Sequence, residues 1–430
     1  MLHAAAGPEI VMLAEALEQI QSSPSRRTIY VRVILAALAA LVAVKMFWFA
    51  RVGPWHLREL ADFDAFHIVA QRVWLGDVGE VYRLATFGRM QGEAAGGTTG
   101  VMPWTYPPQF DLLLAPLALL PVGAAYLLFT AVTLALYLVT LRAIARENLV
   151  QVLIISFPAL AVTIGCGQNG FLTGALIGLF CLTLQKRPVL AGLALGAMVI
   201  KPHLAIAAAV YLLATRRWTA ITAAVTVVLV SSLVCTLIFG PQIWSALIGS
   251  VKESASYLDQ GHYQLFRMIS AFAALHTAGI PAAGDFWAQV GVAALALLAV
   301  VLGAYRAISP AFALGVTAMA SVMISPYAYD YDLPILGIGL ALALPDLARI
   351  ATPRERSTLF GLILLAGAYG LVLSTQASGQ QAAPAMAGFA LMAVLALQLR
   401  WLLRDEAAVH DGSAGHLPRS ALGDALHVPD

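Results

Sequence analysis

Apolar runs long enough to enter or cross a lipid bilayer recur along nearly the whole chain. They lie near residues 29–50, 108–143, 150–165, 170–185, 188–200, 203–215, 219–239, 287–305, 310–324, 332–348, 357–375 and 384–402. A straight helix needs about 20 apolar residues to cross hydrocarbon, and lipid obliges each crossing segment to satisfy its own backbone. The pattern therefore predicts an all-α polytopic membrane protein with about 11–13 transmembrane helices. Composition agrees, because 60% of the 430 residues are hydrophobic and only 11% charged. So little charge cannot cover a water-soluble surface of this size. A net charge of +2 gives no support to nucleic-acid binding. Some runs are too short to cross unaided, so the two around Pro202 are expected as short helices in a hairpin buried by neighbours. The run 108–143 is too long for one helix and contains Pro116 and Pro121. It is either one broken crossing or two short helices.

Short loops rich in Lys and Arg stay cytosolic. Arg142 with Arg146, Lys186 with Arg187, Arg216 with Arg217, Arg306, Arg349 with Arg354 and Arg356, and Arg400 with Arg404 all fall on the N-terminal side when each run is one crossing. The expected organisation is a cytosolic segment 1–28, one transmembrane domain 29–404 and a disordered cytosolic tail 405–430. The domain has a long first outer loop, 51–107, carrying interfacial helices, and a second, 240–286, whose apolar part 265–275 is another interfacial helix candidate. Residues 8–21 form a weak amphipathic helix candidate, and residues 1–21 lack the basic start and apolar core of a cleavable signal. Cys166, Cys181 and Cys235 sit in apolar runs, which suits core packing better than metal or disulfide.

The polar residues with chemical potential gather in the outer loops. In Asp62-Phe63-Asp64-Ala65-Phe66-His67, apolar Phe63, Phe66, Ala70 and Val73 recur at helical spacing, with Asp64, His67 and Gln71 on another face. This predicts an amphipathic helix on the outer leaflet. Asp62 and Asp64 point nearly opposite ways, so at most one faces a given site. One can be a general base; the plainer reading makes Asp62 an N-cap and Asp64 a solvated residue. Tyr106-Pro107-Pro108 suits a belt tyrosine and a helix start, and Asp111 is a costly charge one turn further on. Gln168 and Asn169 lie in a turn between two apolar runs and can bind hydroxyls. Lys201-Pro202-His203 interrupts an apolar stretch; Lys201 can hold a phosphate with help from His203, or snorkel to the interface. The run from Ser325 through Tyr327, Tyr329, Asp330, Tyr331 and Asp332 offers rings for a sugar face and carboxylates for hydroxyls, or an interfacial belt with a helix cap. Tyr257, Asp259, His262 and Tyr263 form a weaker outward group. Soluble nucleotide-binding motifs are absent from the sequence.

The order of these segments resembles glycosyltransferase family 87, over roughly residues 55–345. The resemblance rests on Asp62-Phe63-x-x-Phe66 with Ala70, Gly76 and Tyr82; on Tyr106-Pro107-Pro108 with Ala115-Pro116-Leu117 and Leu120-Pro121; and on Gly167-Gln168-Asn169, Lys201-Pro202-His203, Ser325-Pro326-Tyr327 and Tyr331-Asp332. It implies the membrane-embedded GT-C fold and transfer of a sugar, mannose first, from a polyprenyl-phosphate donor to a lipid or glycan hydroxyl. It makes Asp62 the catalytic base and Asp64 the second choice. Three departures stand out: Phe66 for a frequent Tyr, His203 for a common Gln, and Asp111 for an apolar residue. Inverting transfer then follows, with Lys201 and His203 at the donor phosphate. Tyr106, Gln168, Asn169, Tyr327, Tyr329, Asp330 and Asp332 line the sugar and acceptor. The implied partners are membrane lipids, the lipid-linked donor and the acceptor. No resident metal or other cofactor is implied, and a transient divalent cation near Asp62 stays open. The implied location is a bacterial inner membrane, with both termini cytosolic and the site facing outward. Two other classes compete. A secondary transporter or lipid flippase fits the span count but wants two related halves, and an envelope scaffold would need no base.

Overall fold

The computed structural model describes residues 12–51, 59–96, 101–374 and 383–404. The expected tail 405–430, most of the loop 376–383 and the start of the N-terminal segment lie outside the described residues. The chain is an all-α membrane protein. Helices α1 (Leu13–Ser22) and α2 (Pro24–Ala50) lead into α3 (Asp62–Leu75) and α4 (Leu84–Ala95) of the loop 51–107. Then come α5 (Pro108–Leu114), α6 (Val122–Ala145), α7 (Leu149–Cys166), α8 (Gly170–Thr183), α9 (Pro188–Ala197), α10 (Ile206–Ala214) and α11 (Trp218–Phe239). The loop 240–286 holds α12 (Gln242–Asp259) and α13 (Ala271–Thr277), and α14 (Ala282–Arg306), α15 (Pro310–Ser321), α16 (Pro334–Ile350), α17 (Pro353–Ser374) and α18 (Met386–Leu402) complete the bundle.

Five stretches are long and apolar enough to cross a bilayer: Pro24–Ala50, Val122–Cys166, Trp218–Phe239, Ala283–Arg306 and Pro353–Leu373. The second comprises α6 and α7, which part at Arg146 with φ +48°. Shorter apolar helices of 10–17 residues fill the remaining runs. Pro121 resolves the segment 108–143 into the short α5, continued by a 3-10 turn Ala115–Leu119, and the full-length α6. The stretch around Pro202 breaks at Lys201 into α9 and α10, each flanked by a 3-10 turn.

Local chemistry starts these helices where the sequence suggests. Proline occupies the first turn of α2, α5, α9, α15, α16 and α17, where its missing N–H costs nothing. Ser309 accepts from Phe312 N at 3.0 Å to cap α15, and Ser270 accepts from Ala273 N at 3.2 Å to cap α13. The core is α6, α7, α8 and α16, with α2 and α17 against α7. Helix α16 is buried from Pro334 to Leu344, whereas α11 is apolar all round yet nearly bare. An all-apolar exposed helix makes sense only against lipid.

Helix α3 forms where expected but is not a surface helix. Phe63 to Ala70 are all buried. The segment after α5 covers its polar side: His67 Nε2 donates to Leu120 O at 2.9 Å and Trp74 Nε1 to Ala115 O at 2.7 Å. Two ends of the bundle differ sharply. One collects the basic loops: Arg217 donates to Gln185 at 2.7 Å, Tyr305 to Ala214 O at 2.9 Å and Arg404 to Ile350 O at 2.9 Å. Glu18 pairs there with Arg356, tying α1 to α17. The other end holds the turn 167–169, the Lys201 break and the loop 325–332.

Candidate functional site

The site begins with the turn between α7 and α8. Gly167 has φ +70°, and a Cβ there would lie 2.6 Å from that of Phe63. Glycine thus lets α3 rest on this turn, which brings Asp62 to it. Gln168 Oε1 accepts from Tyr106 OH at 3.0 Å and from Asn169 N at 3.1 Å. With its oxygen occupied, Gln168 turns its amide nitrogen to Asp62. Cys166 also reaches Asp62.

The loop 325–332 closes over the same turn. A Cβ on Gly170 would lie 1.8 Å from Tyr331 O, so backbone meets backbone there. Thr163 Oγ1 donates to that carbonyl at 3.3 Å. Lys201 Nζ meets Asp332 Oδ1 at 2.7 Å, with both side chains buried. The other Asp332 oxygen accepts from Tyr329 N at 3.3 Å. The rings of Tyr329 and Tyr331 stack 5.3 Å apart at 6°, and Lys201 Nζ stands 4.6 Å from the Tyr331 centroid. An ammonium over an aromatic face gains a further attraction.

Arg267 is the residue that sequence reasoning missed. It ends a 3-10 turn, Leu265–Arg267, in the stretch expected as an apolar interfacial helix. Its guanidinium grips Asp330 with two hydrogen bonds, Nε to Oδ2 at 3.1 Å and Nη2 to Oδ1 at 2.9 Å. The loops are joined behind it by Ile269 N donating to Ala328 O at 3.0 Å. The available signal was an arginine as the one charge in the apolar stretch 265–275.

The structure separates the two carboxylates of α3. Asp64 is buried and accepts from Ala61 N at 2.9 Å, while its own N–H bonds Ala61 O at 2.9 Å. It closes the first turn of the helix, and it lines a cavity of about 250 Å³ with His67 and Gln71, away from the cluster. Neither part of the plainer reading holds: Asp64 is no solvated residue, and Ala61 rather than Asp62 is the N-cap. Asp62, in the first turn, faces the cluster. It keeps some exposed surface, yet the protein around it raises its pKa by desolvation, against which the Arg267 charge works. Such a carboxyl is a stronger base once ionised than an ordinary aspartate.

Of the other sequence candidates, Tyr106, Gln168, Asn169, Lys201, Tyr329, Asp330 and Asp332 come together. His203 lies within electrostatic range of Lys201 and Asp332. Tyr327 stands apart, 38% exposed, beside Tyr263. Tyr263 in turn packs on Tyr257, so the weaker outward group is real but peripheral. Two polar groups in the cluster are unspent. Asn169 is fully buried and lies beside Tyr106, but neither of its amide atoms makes a well-formed hydrogen bond among the described residues. His203 Nε2 is in the same position. Buried polar atoms without partners are rare.

Among the described residues no group of three or more His, Cys, Asp or Glu could hold a metal ion. The paired Lys201–Asp332 and Arg267–Asp330, the base-like Asp62 and the stacked tyrosines can bind a polar, hydroxyl-rich molecule and accept a proton from it. Comparison with known proteins adds a second line. No curated protein and no solved structure matches the chain. The model of glycosyltransferase family 87 matches residues 104–326, a span that includes Tyr106, Gln168, Asn169, Lys201, His203 and Arg267 and stops short of Asp62 on one side and Asp330 on the other. With just over half of its length under that match, the chain belongs to glycosyltransferase family 87.

Proposed function

We propose that this glycosyltransferase moves a sugar, mannose first, from a polyprenyl-phosphate donor to a lipid or glycan hydroxyl, with inversion at the anomeric carbon. The observation that carries this reading is Asp62: a desolvated carboxylate beside Arg267, at the end of the bundle that lacks the basic loops. Asp62 takes the acceptor proton as the hydroxyl oxygen attacks the anomeric carbon and the phosphate leaves with its bonding electrons. Lys201 and His203 stabilise the leaving phosphate, although Lys201 must share its charge with Asp332. The unspent amide of Asn169 can satisfy a sugar hydroxyl, which both donates and accepts, and the Tyr329–Tyr331 stack flanks the ring. A donor arriving from the bilayer needs no nucleotide-binding motif.

By the same reading the protein sits in a bacterial inner membrane, with the basic end cytosolic and Asp62 facing outward. The transmembrane unit is 29–404, bounded by cytosolic segments. The test supplies radiolabelled polyprenyl-phosphate mannose and a membrane-lipid extract to purified protein. Label should enter a new product with wild type and not with Asp62→Asn. Equal transfer by both would keep the enzyme and discard Asp62 as its base.

A further inference from the structure

The aromatic residues of the loop 240–286 have no task in the step at Asp62, yet they continue the ring-lined wall of that site. Tyr329 and Tyr331 stack 5.3 Å apart, with Lys201 Nζ 4.6 Å from the Tyr331 centroid. The backbone of Tyr329 bridges to Met268, and Tyr329 packs on the same small cluster, Leu258, Met268 and Ala273, as Tyr263. From Tyr263 the series branches: the ring of Tyr327 lies 6.4 Å away and that of Tyr257 5.7 Å. His262 follows, 4.7 Å from Tyr257. Rings from two separate loops thus form one path that leads from the Lys201 break to the surface.

The path is held in place by the loops themselves. Ser254 bonds the Tyr263 hydroxyl, and Ser325 Oγ accepts from Tyr327 N at 3.1 Å, which fixes the turn that presents the Tyr327 ring. Tyr327 is exposed, and Tyr257 and Tyr263 are half-buried, so each ring keeps free surface. The hydroxyls of Tyr257 and Tyr327 meet no protein partner among the described residues. Tyrosines also gather at lipid headgroups, where one end is apolar. Phe286 and Trp287 suit that role here, 52% and 68% exposed at the start of the apolar α14. The end of α12 differs. It exposes Lys252, Glu253, Asp259 and Gln260, with His262 just beyond, which is a rim made for water. Aromatic faces edged by carboxylate, imidazole and amide match a sugar: its C–H face packs on the ring, and its hydroxyls find donors and acceptors at the edge. A polyprenyl chain gains nothing from such a rim, so the path suits the acceptor and not the donor.

We propose that Tyr263, Tyr327 and Tyr257, rimmed by Asp259 and His262, form a subsite that stacks on the outer sugars of the acceptor, which makes that acceptor a saccharide chain. The proposal rests on the reading of Asp62 as the place where the acceptor hydroxyl reacts. No bond forms or breaks at the subsite; it holds the chain while the terminal hydroxyl gives its proton to Asp62.

The test uses full-length protein, radiolabelled polyprenyl-phosphate mannose and octyl glycosides bearing one or four mannose units. In wild type, KM for the four-sugar acceptor should lie about tenfold below that for the one-sugar acceptor. In Tyr257→Ala/Tyr327→Ala that ratio should fall toward one, whereas Tyr257→Phe/Tyr327→Phe, which keeps both rings, should hold most of it. Saturation-transfer NMR with mannotetraose and no donor reads the same subsite without turnover. Contacts to the inner sugars should appear with wild type and vanish in the double alanine variant. Equal KM values for the two acceptors in wild type, or a ratio that the alanine variant leaves intact, overturns the subsite and keeps the transferase. Loss of binding to phosphatidylglycerol vesicles in the alanine variant, with the KM ratio unmoved, makes the rings a membrane belt and also overturns it. Mannotetraose contacts that depend on the rings, with no label transferred to either acceptor, support the subsite and remove the mannosyl donor instead.

Discussion

Asp111 and Asp62 are both acidic residues enclosed by protein near the same end of the bundle, and they have opposite characters. Asp111 is wholly buried and spends both oxygens, one on Tyr82 OH at 2.7 Å and one on Trp104 Nε1 at 2.9 Å. The same Tyr82 oxygen lies 2.9 Å from Tyr106 O, and Trp104 O accepts from Ser250. This knot ties the first outer loop to α5 and α12. Asp62 keeps an open side, and elsewhere in the cluster Asn169 and His203 hold polar atoms in reserve. Burial therefore does not distinguish the carboxylate proposed as base from the structural one. Engagement does: where both oxygens are tied up inside the fold, neither faces a substrate.

The largest expected effect sharpens that contrast. Asp62→Asn should cut transfer by roughly 10²–10⁴-fold with little change in the thermal midpoint in detergent. Asp111→Asn should do the reverse, lowering stability by about 1–3 kcal/mol while folded molecules still transfer. Loss of transfer in stable Asp111→Asn protein would break the distinction. Next comes the Lys201–Asp332 pair. Lys201→Ala strands a buried carboxylate and should cost about 3–5 kcal/mol, much of it recovered in Lys201→Ala/Asp332→Ala. Activity should not return with stability; if it does, Lys201 is purely a counter-ion. Asn169→Ala should leave the thermal midpoint nearly unchanged, because neither amide atom it deletes makes a well-formed hydrogen bond among the described residues. Its KM should rise, and an unchanged KM would count Asn169 out of the sugar site. The smallest effect belongs to Asp64→Ala, about 0.5–2 kcal/mol for a lost helix cap. Its pH profile should keep the wild-type acid limb, and a displaced limb would reopen the choice between the two α3 carboxylates. That limb should lie above the ordinary aspartate range in wild type, because Asp62 must lose its proton to act and its pKa is raised.

Much of the scaffold could be read from the sequence, because lipid reduces the problem to apolar length and the position of basic loops. The turns at Gly167 and Lys201 and the loop to Asp332 were visible as polar breaks in apolar text. Which of Asp62 and Asp64 faces inward was not, since spacing gives relative direction alone and the cap at Ala61 decides the rest. The burial of α3 was missed for a similar reason: its cover comes from Leu120, 53 residues away. Arg267 was lost inside an apolar stretch, and its partner Asp330 lies 63 residues further on. Pairings over that distance leave no periodic trace. Tyr327 was grouped with its neighbours by proximity in sequence, but it sits in the turn at Pro326–Tyr327 and points outward.

The contact between Gly170 and Tyr331 carries a consequence for how such an enzyme can drift and diversify. One hydrogen, where other residues place a carbon, decides whether two parts of the chain 161 positions apart can close on one another. Side chains around the seam can be exchanged so long as it stays shut. Position 170 therefore sets a boundary on the enzyme's freedom to vary, and new specificity has to be sought around it rather than through it.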